Sequence, residues 1–230
     1  MVLVVGDHAR LIRWDRGGAV VTKKFKWDEE PLLYDFFMRY DTADPETRGR
    51  DSTVDLPSPE ENRLAKDNVS ELAGEGTSYL TVTVSNQRYV IKSPDSQPFI
   101  PVGRWTRSSF AYDIGNRRRV FAKDSWRILA DDIEPEGNIY ERLEKGDVPN
   151  VPRCLSSGDI GDDTHHRSRT HEVIAKCPIH RTTWEITPHR HYRIVLGTIG
   201  RDLQTFTCAK ELVKALGAAL LGEDDYFLSS

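Results

Sequence analysis

Three residues in the middle of the chain have types and spacing that suit phosphate chemistry. Lys123 follows the strand-like run at residues 120–122, and Glu136 falls in the first turn of a helix-like segment. Upstream, Gly103 opens a turn at 103–108 in which three of the six residues are small. A flexible turn can cover phosphates, a strand lysine can reach the α- and β-phosphates, and a helix glutamate can hold that lysine by an ion pair. Spacing alone is a weak signal, because a lysine near a strand end is usually a solvated surface residue.

The elements that must position these residues do not alternate in the regular β–α order of a parallel sheet. β-Branched and aromatic runs predict strands at residues 3–5, 9–14, 19–25, 79–84, 88–92, 99–103, 109–114, 119–124, 151–155, 171–177 and 192–196. Apolar residues three or four positions apart predict helices at residues 31–40, 58–72, 136–145 and 207–221. We therefore predict an α+β fold with mostly antiparallel sheets and a few helices.

Local signals mark the ends of several predicted elements. Pro31 suits the first turn of a helix, because its missing N–H would lack a partner there in any case. Ser58 and Glu61 form a capping-box pattern around a proline, which predicts that the second helix begins there. The Gly-x-x-Gly segment at residues 197–200 separates the last predicted strand from the last helix and suggests a hinge.

The amino-acid composition indicates which partners and which cellular environment to expect. The chain has 230 residues, 38% of them hydrophobic, and a net charge of −4, and both halves are slightly acidic. We therefore expect no nucleic-acid partner, since non-specific binding needs a basic excess. No apolar run approaches the roughly 20 residues that cross a bilayer, so we expect no membrane association. Three cysteines and no secretory signal predict a reduced, intracellular and cytoplasmic protein.

Several blocks of sequence carry a family resemblance. The most specific is the Lys-Asp-Ser-Trp-Arg run within residues 119–127. Further blocks lie at residues 9–19, 135–143, 146–152, 191–196 and 199–203. Together they resemble the fungal-type protein kinase family of basidiomycete, mushroom-forming fungi. The resemblance covers most of residues 9–221.

This resemblance implies a protein-kinase-like small lobe with ATP in its cleft. Lys123 takes the role of the strand lysine, Glu136 that of its helix partner, and Gly103 lies in the phosphate turn. Residues 196–203 take the role of the hinge that holds adenine. The implied division is a family N-terminal region at 1–98, a small lobe and hinge at 99–206, and the start of a large lobe at 207–230. The family activity is ATP-dependent phosphoryl transfer to Ser/Thr.

Two departures from the family pattern concern activity. Trp105 and Ser108 stand in the turn where the family has small residues, and a tryptophan blocks close approach of the backbone to phosphate. The three His-Arg pairs (His166, His180 and His189) are not followed by Asp, and each Asp-x-Gly lies upstream of where magnesium would need it. We therefore assign no catalytic residue, expect ATP binding to be weak or lost, and regard bound magnesium as unexpected. A truncated paralogue or gene model would have this pattern.

Two other functions stay open. The first is a pseudokinase-like interaction module, which keeps the lobe as a binding surface and offers the helix at 207–221 to a protein partner. That helix carries the apolar stripe Leu212, Val213, Leu216 and Leu220. A weaker hypothesis is a zinc-stabilised domain that uses Cys154, Cys177, His180, His189 and His191. The finger-like spacing is incomplete, so we assign no metal ligand.

Overall fold

The structure is a computed structural model that describes residues 1–73, 78–93, 100–161, 165–176 and 186–228. For residues 71–73 and 221–228 it describes the backbone only. Over the described part of the chain, no helix combines the length and the apolar character needed to cross a membrane.

Strands and helices follow each other in an irregular order. The strands are β1 (Val2–Val5), β2 (His8–Asp15), β3 (Gly18–Val21), β4 (Phe25–Lys26), β5 (Val54–Asp55), β6 (Tyr79–Val84), β7 (Gln87–Lys92), β8 (Arg107–Asp113), β9 (Arg118–Ile128), β10 (Cys154–Asp159) and β11 (His189–Leu196). The α-helices are α1 (Leu32–Thr42), α2 (Pro59–Ala73), α3 (Glu136–Lys145), α4 (Thr170–Ala175) and α5 (Ala209–Leu228). A short 3-10 helix covers Leu203–Thr205.

The strands form two antiparallel sheets. β1 to β4 make a small N-terminal sheet in which β2 pairs with the other three strands. The larger sheet has the order β10–β11–β9–β8–β7–β6–β5. The predicted α+β fold with mostly antiparallel sheets is therefore confirmed. The larger sheet contains strands from both sides of residue 98, where the sequence analysis placed a domain boundary, and that division stays a prediction.

The larger sheet curls so that its two edges approach each other. The Ser156 hydroxyl donates to the Val84 carbonyl at 3.1 Å, and the Ser85 hydroxyl donates to the Ser157 carbonyl at 2.9 Å. These bonds join β10, at one edge, to the hairpin of β6 and β7 near the other edge. The sheet thus has an inner face, enclosed by the curl, and an outer face.

Each face of the larger sheet has its own apolar core. The inner face buries one cluster that consists of Val82, Val84, Tyr89, Ala111, Val120 and Val195. On the outer face, α2 packs Ala65 and Val69 against strand residues that include Val90 and Tyr112. Side chains alternate between faces along each strand, and the register of β8, β9 and β11 places Phe121, Ile194 and Leu196 on this outer face too. Tyr140 of α3 packs against the cluster that contains Ile194 and Leu196, so α2 and α3 both cover the outer face.

Several local predictions are confirmed. Ser58 and Glu61 form the reciprocal capping box, with the Glu61 N–H donating to Ser58 Oγ at 3.2 Å and the Ser58 N–H donating to Glu61 Oε2 at 2.7 Å. The predicted hairpin after residue 84 turns at Ser85 and Asn86, both with positive φ. Two positive φ angles in sequence give a turn whose twist matches that of the flanking strands.

Two predicted strands are wrong for physical reasons. Residues 100–103 of the predicted strand 99–103 form no strand (residue 99 lies outside the described part), and β7 pairs directly with β8. Pro101 has no N–H to donate to a ladder, and Gly103 has a φ of +93°. The predicted strand at 171–177 is instead α4, with Cys177 outside the described residues. Its N-terminus is capped by Asp15, which accepts hydrogen bonds from the N–H groups of Arg169 and Thr170.

Candidate functional site

Lys123 lies inside β9 rather than at its end. The sequence analysis ended this strand at residue 124, but pairing with β11 extends it to Ile128. Lys123 is paired with Ser108 of β8 on one side and with Ile194 of β11 on the other. Because both neighbours are hydrogen-bonded strands, the backbone of Lys123 is held on both sides. The alternation of β9 directs its side chain to the outer face, the face that α3 covers.

Glu136 is the first residue of α3 and faces Lys123 directly. Lys123 Nζ donates to Glu136 Oε1 at 2.8 Å and to Oε2 at 2.7 Å. Each side chain keeps about a quarter of its surface exposed, at 25% for Lys123 and 24% for Glu136. A carboxylate in the first turn is also favoured by the helix dipole. The structure therefore brings together two of the three residues that the sequence analysis selected, in the geometry of the predicted ion pair.

A contact that sequence reasoning missed holds α3 against the sheet. The N–H of Gly137 donates to the Tyr192 hydroxyl at 2.9 Å. A Cβ on Gly137 would lie 2.0 Å from Ser157 Oγ and 2.6 Å from the Tyr192 oxygen. Burial is the main cause that raises the pKa of Tyr192, so this phenol stays a neutral hydroxyl. Glycine is thus needed at 137 for the helix to approach closely enough for Glu136 to reach Lys123.

Gly103 occupies a turn that is already engaged by the N-terminal sheet. Its N–H donates to the Arg16 carbonyl at 2.9 Å. The guanidinium of Arg16 stacks over the Trp105 ring at 3.7 Å from the centroid, and that of Arg107 lies at 4.4 Å. Trp105 itself has a φ of +40°. While these contacts hold, the N–H of Gly103 is used by protein and is not available to a phosphate.

Two openings in the structure differ in their capacity for a ligand. A groove of about 600 Å³ runs beside Glu136 between α3 and α5, with Tyr140, Pro152 and Ala218 among its lining residues. A second cavity, on the inner face, is about 90 Å³ and includes Val82 in its lining. Sites for small molecules and cofactors usually occupy roughly 300–1,000 Å³. The groove next to Glu136 has room of that order, and so does a third opening of about 590 Å³ near β5 that includes Arg50 and Arg88 in its lining.

The chain leaves the sheet after β11 without forming a strand or an α-helix before residue 209. The N–H of Gly197 donates to the Arg153 carbonyl at 2.9 Å, and residues 197–202 follow as irregular structure. This is the segment that the sequence analysis interpreted as a hinge. The resemblance assigns adenine binding to it, and that role stays a prediction.

In two of the three His-Arg pairs, the histidine contacts other residues of the protein, which is typical of a structural role. His166 contacts His191 in the buried interior of the protein, and the His189 ring nitrogen is 2.9 Å from the Thr187 carbonyl. The third pair, at His180, lies outside the described residues.

The same strands carry a second polar cluster, on the inner face, that sequence reasoning did not find. Arg193 is only 3% exposed and donates hydrogen bonds to Asp124 at 3.2 Å, to Asp51 at 2.7 Å and to Thr53 at 2.6 Å. His191 contacts the other oxygen of Asp124. Burial by itself would raise the pKa of Asp124, but the hydrogen bond of His191 and the charges around it lower that pKa to about 2.

The hypothetical zinc set of the sequence analysis does not come together. Cys154 is paired with Leu196, five residues along β11 from His191. At roughly 3.3 Å per strand residue, that separation is about 17 Å, which is far beyond the reach of one metal ion. Cys177 and His180, the other members of the set, lie outside the described residues.

Comparison with known proteins gives a finding at the level of the family. The model of a family described as fungal protein kinase matches residues 2–227. No curated protein and no solved structure has significant similarity to the chain. The family match covers almost all of the sequence, including the larger sheet and the helix α3 that together position Lys123 and Glu136. The chain therefore belongs to the fungal protein kinase family.

Proposed function

We propose that this chain supplies the nucleotide-binding lobe of a fungal protein kinase and that these 230 residues do not transfer phosphate by themselves. The observation that carries the proposal is the ion pair between Lys123 and Glu136, with nitrogen–oxygen distances of 2.7 and 2.8 Å. In protein kinases the equivalent pair must be formed for the lysine to hold the α- and β-phosphates. ATP is the ligand that this pair suits, and Glu136 also lines the adjoining groove.

The turn around Gly103 supports weak rather than tight binding of ATP. Its N–H is bonded to Arg16, and Trp105 fills the position where small residues would let the backbone approach a phosphate. With the N–H of the turn used by protein, Lys123 is the phosphate contact on which the proposal rests. We expect a Kd for ATP in the millimolar range, which is about −4 kcal/mol.

The expectation that these residues do not transfer phosphate rests on two sequence motifs. The printed sequence has no His-Arg-Asp and no Asp-x-Gly downstream of residue 203. Those motifs supply the base and the magnesium ligand in protein kinases, and phosphoryl transfer depends on positioning both. We also propose that the protein acts inside the cell, which is supported by the free thiols of Cys154 and Cys208.

Titration of ATP into the protein, followed by calorimetry or by NMR, tests the nucleotide proposal. We expect millimolar affinity that Lys123→Ala abolishes, whereas Lys66→Ala, which changes an exposed lysine on α2, leaves it unchanged. A kinase assay with a generic Ser/Thr substrate should give no signal above the Lys123→Ala background. Micromolar affinity, or transfer that depends on Lys123, would contradict the proposal.

A second candidate function is a non-catalytic interaction module. The observation that favours it is the exposure of the apolar stripe on α5, where Val213 is 67% and Leu220 is 60% exposed. Exposed apolar patches often mark protein contacts. The two functions differ in the role of Lys123. If the chain is an interaction module, Lys123→Ala leaves its association with a partner unchanged, whereas substitutions in the α5 stripe weaken that association.

A further inference from the structure

Two histidines and one aspartate converge near the end of the inner face, outside the site that contains Lys123. Asp51 precedes β5, His166 lies before α4, and His191 is in β11. The side chains of His166 and His191 are 9% and 5% exposed, and that of Asp51 is 25% exposed. Each offers one ligand atom within 4.8 Å of the others. Such a group is a set of nitrogen and oxygen donors that the fold assembles from distant parts of the chain.

His191 is oriented in the way that metal-binding histidines usually are. Its Nε2 contacts the carboxylate of Asp124, so that nitrogen carries the hydrogen. Its Nδ1 is therefore left with a lone pair, and it points to Nδ1 of His166 at 3.1 Å. Histidines that bind metals almost always donate their other N–H to a carboxylate, a carbonyl or water. Trp126 stacks on the ring of His191, with 5.1 Å between centroids, and fixes its plane.

The separation of the two imidazole nitrogens fits a small divalent ion. Two nitrogens bound to one tetrahedral ion at about 2.0–2.1 Å lie about 3.3 Å apart, and the two Nδ1 atoms are 3.1 Å apart. An ion between them takes the place of the hydrogen that one nitrogen now gives to the other. That hydrogen moves to His166 Nε2, which is 4.0 Å from Asp51 Oδ1.

Asp51 retains a lone pair in the right place. A carboxylate has about four lone-pair sites. Oδ1 accepts from the N–H and the hydroxyl of Thr53, and Oδ2 accepts from Arg193. The fourth site is on Oδ2, and this oxygen lies 3.9 Å from His191 Nδ1. The third ligand is thus held rigidly by three hydrogen bonds while one donor pair stays available.

The charged side chains around the group form ion pairs with one another. Arg193 and Arg107 contact the carboxylates, at 2.7 Å from Asp51 and 3.6 Å from Asp124 respectively, so two positive and two negative charges balance. A dication therefore enters a site in which each carboxylate already faces a guanidinium.

We propose that Asp51, His166 and His191 bind one divalent transition-metal ion of the Zn²⁺ type, with Asp124 as the group that orients His191. Imidazole nitrogens combined with one carboxylate suit Zn²⁺ rather than Mg²⁺ or Ca²⁺, which prefer oxygen ligands alone. The ion ties the segment before β5 and the segment before α4 to β11. Its role is structural, because it stabilises the end of the inner face rather than the Lys123 site.

Zn²⁺ added to the metal-free full chain tests this proposal by calorimetry. We expect one equivalent to bind with micromolar affinity or better and to raise the melting temperature. His166→Gln and Asp51→Asn should each weaken binding at least tenfold, and Asp124→Asn by about 10- to 100-fold, as the loss of an orienting partner does. His189→Gln is the matched control, since it alters a buried histidine of the same strand that contacts the Thr187 carbonyl instead.

X-ray absorption of the zinc-loaded wild-type chain provides a second readout that needs no variant to fold. The proposal requires a shell of nitrogen and oxygen at about 2.0–2.1 Å without sulfur at about 2.3 Å. A sulfur shell would assign the ion to a cysteine site and overturn the proposal. Absence of stoichiometric binding, or binding that neither His166→Gln nor Asp51→Asn weakens, would overturn it as well.

Discussion

Arg193 shows how one buried cation organises one end of the inner face. Its guanidinium is 3% exposed and donates to two carboxylates and one hydroxyl, so each nitrogen has an acceptor. Taking such charges out of water is costly, and the cost is offset only while every partner is present. The contribution of this cluster to the free energy of unfolding therefore depends on the presence of both Asp51 and Asp124. It is not a sum of separate ion pairs.

Asp124→Asn should destabilise the protein by about 3–5 kcal/mol, since removal of one partner leaves a buried charge without compensation. Urea denaturation at neutral pH measures this change. Asp67→Asn is the control, because Asp67 forms an exposed pair with Arg63 at 3.3 Å on α2. Such surface pairs are worth at most about 1 kcal/mol. Equal effects of the two substitutions would show that the Asp124 cluster is not a buried network.

The same carboxylate predicts how stability depends on pH. The pKa of Asp124 is about 2 in the folded protein, against an ordinary value of 3.8. Because the unfolded chain then binds more protons between these values, the stabilisation is complete above about pH 4 and lost as pH falls towards 2. Unfolding free energies of wild type and Asp124→Asn should therefore converge over that range. A constant difference between the two proteins would contradict the lowered pKa.

At the scale of elements, the position of α3 decides whether the Lys123 site exists. Pro135 and Glu136 begin the helix at the correct residue, but its distance from the sheet is set by Gly137. The close approach lets the Tyr192 hydroxyl reach the Gly137 N–H, a bond between residues 55 positions apart. Local sequence determines where the helix starts, whereas a tertiary contact determines where it lies.

Gly137→Ala should destabilise the protein by about 1–3 kcal/mol, because the added Cβ overlaps Ser157 and Tyr192 and α3 must move outward. The gain in helix propensity opposes this only in part. Gly217→Ala in α5 is the matched control, since no atom lies within 4 Å of its added Cβ, and it should stabilise by up to about 1 kcal/mol. Thermal denaturation measures both changes, and a stabilising Gly137→Ala would disprove the packing argument.

The contrast between the two polar sites explains what sequence reasoning could find. The pair of Lys123 and Glu136 was predictable because local signals place each residue in its element, 13 positions apart, and the family resemblance assigns them as partners. The inner cluster was not predictable, because Arg193 and Asp51 are 142 positions apart in the sequence and no local pattern indicates that they are in contact. Likewise α4 was predicted as a strand because its cap, Asp15, is 155 positions from Thr170.

At the scale of the whole molecule, α5 is held less firmly than the sheet. A hydrogen bond from the Asn150 side chain to the Ala218 carbonyl, at 3.0 Å, joins it to the loop before β10. Leu216 is 48% exposed, and Val213 and Leu220 are exposed further. Full burial of a Leu or Val side chain is worth roughly 1.5–3 kcal/mol. Burial of these exposed side chains in a protein contact would therefore stabilise the associated state.

We expect the isolated chain to self-associate through this stripe and Leu216→Glu to restore a monomer without loss of strand structure. Sedimentation velocity and far-UV circular dichroism check the two parts of the prediction. Lys214→Glu is the control, since it adds negative charge at an exposed neighbouring position outside the stripe. A monodisperse wild-type monomer that Leu216→Glu destabilises would show that Leu216 belongs to the core of the single chain.

The adjacent residues Lys123 and Asp124 also specify the register in which β9 pairs with its neighbours. They point to opposite faces, Lys123 to Glu136 and Asp124 to Arg193. A shift of the strand by one residue reverses every side chain. In one direction the shift brings Asp124 against the carboxylate of Glu136, and in the other it brings Lys123 against the guanidinium of Arg193. Either misalignment by one residue therefore brings like charges together, which disfavours it relative to the observed register.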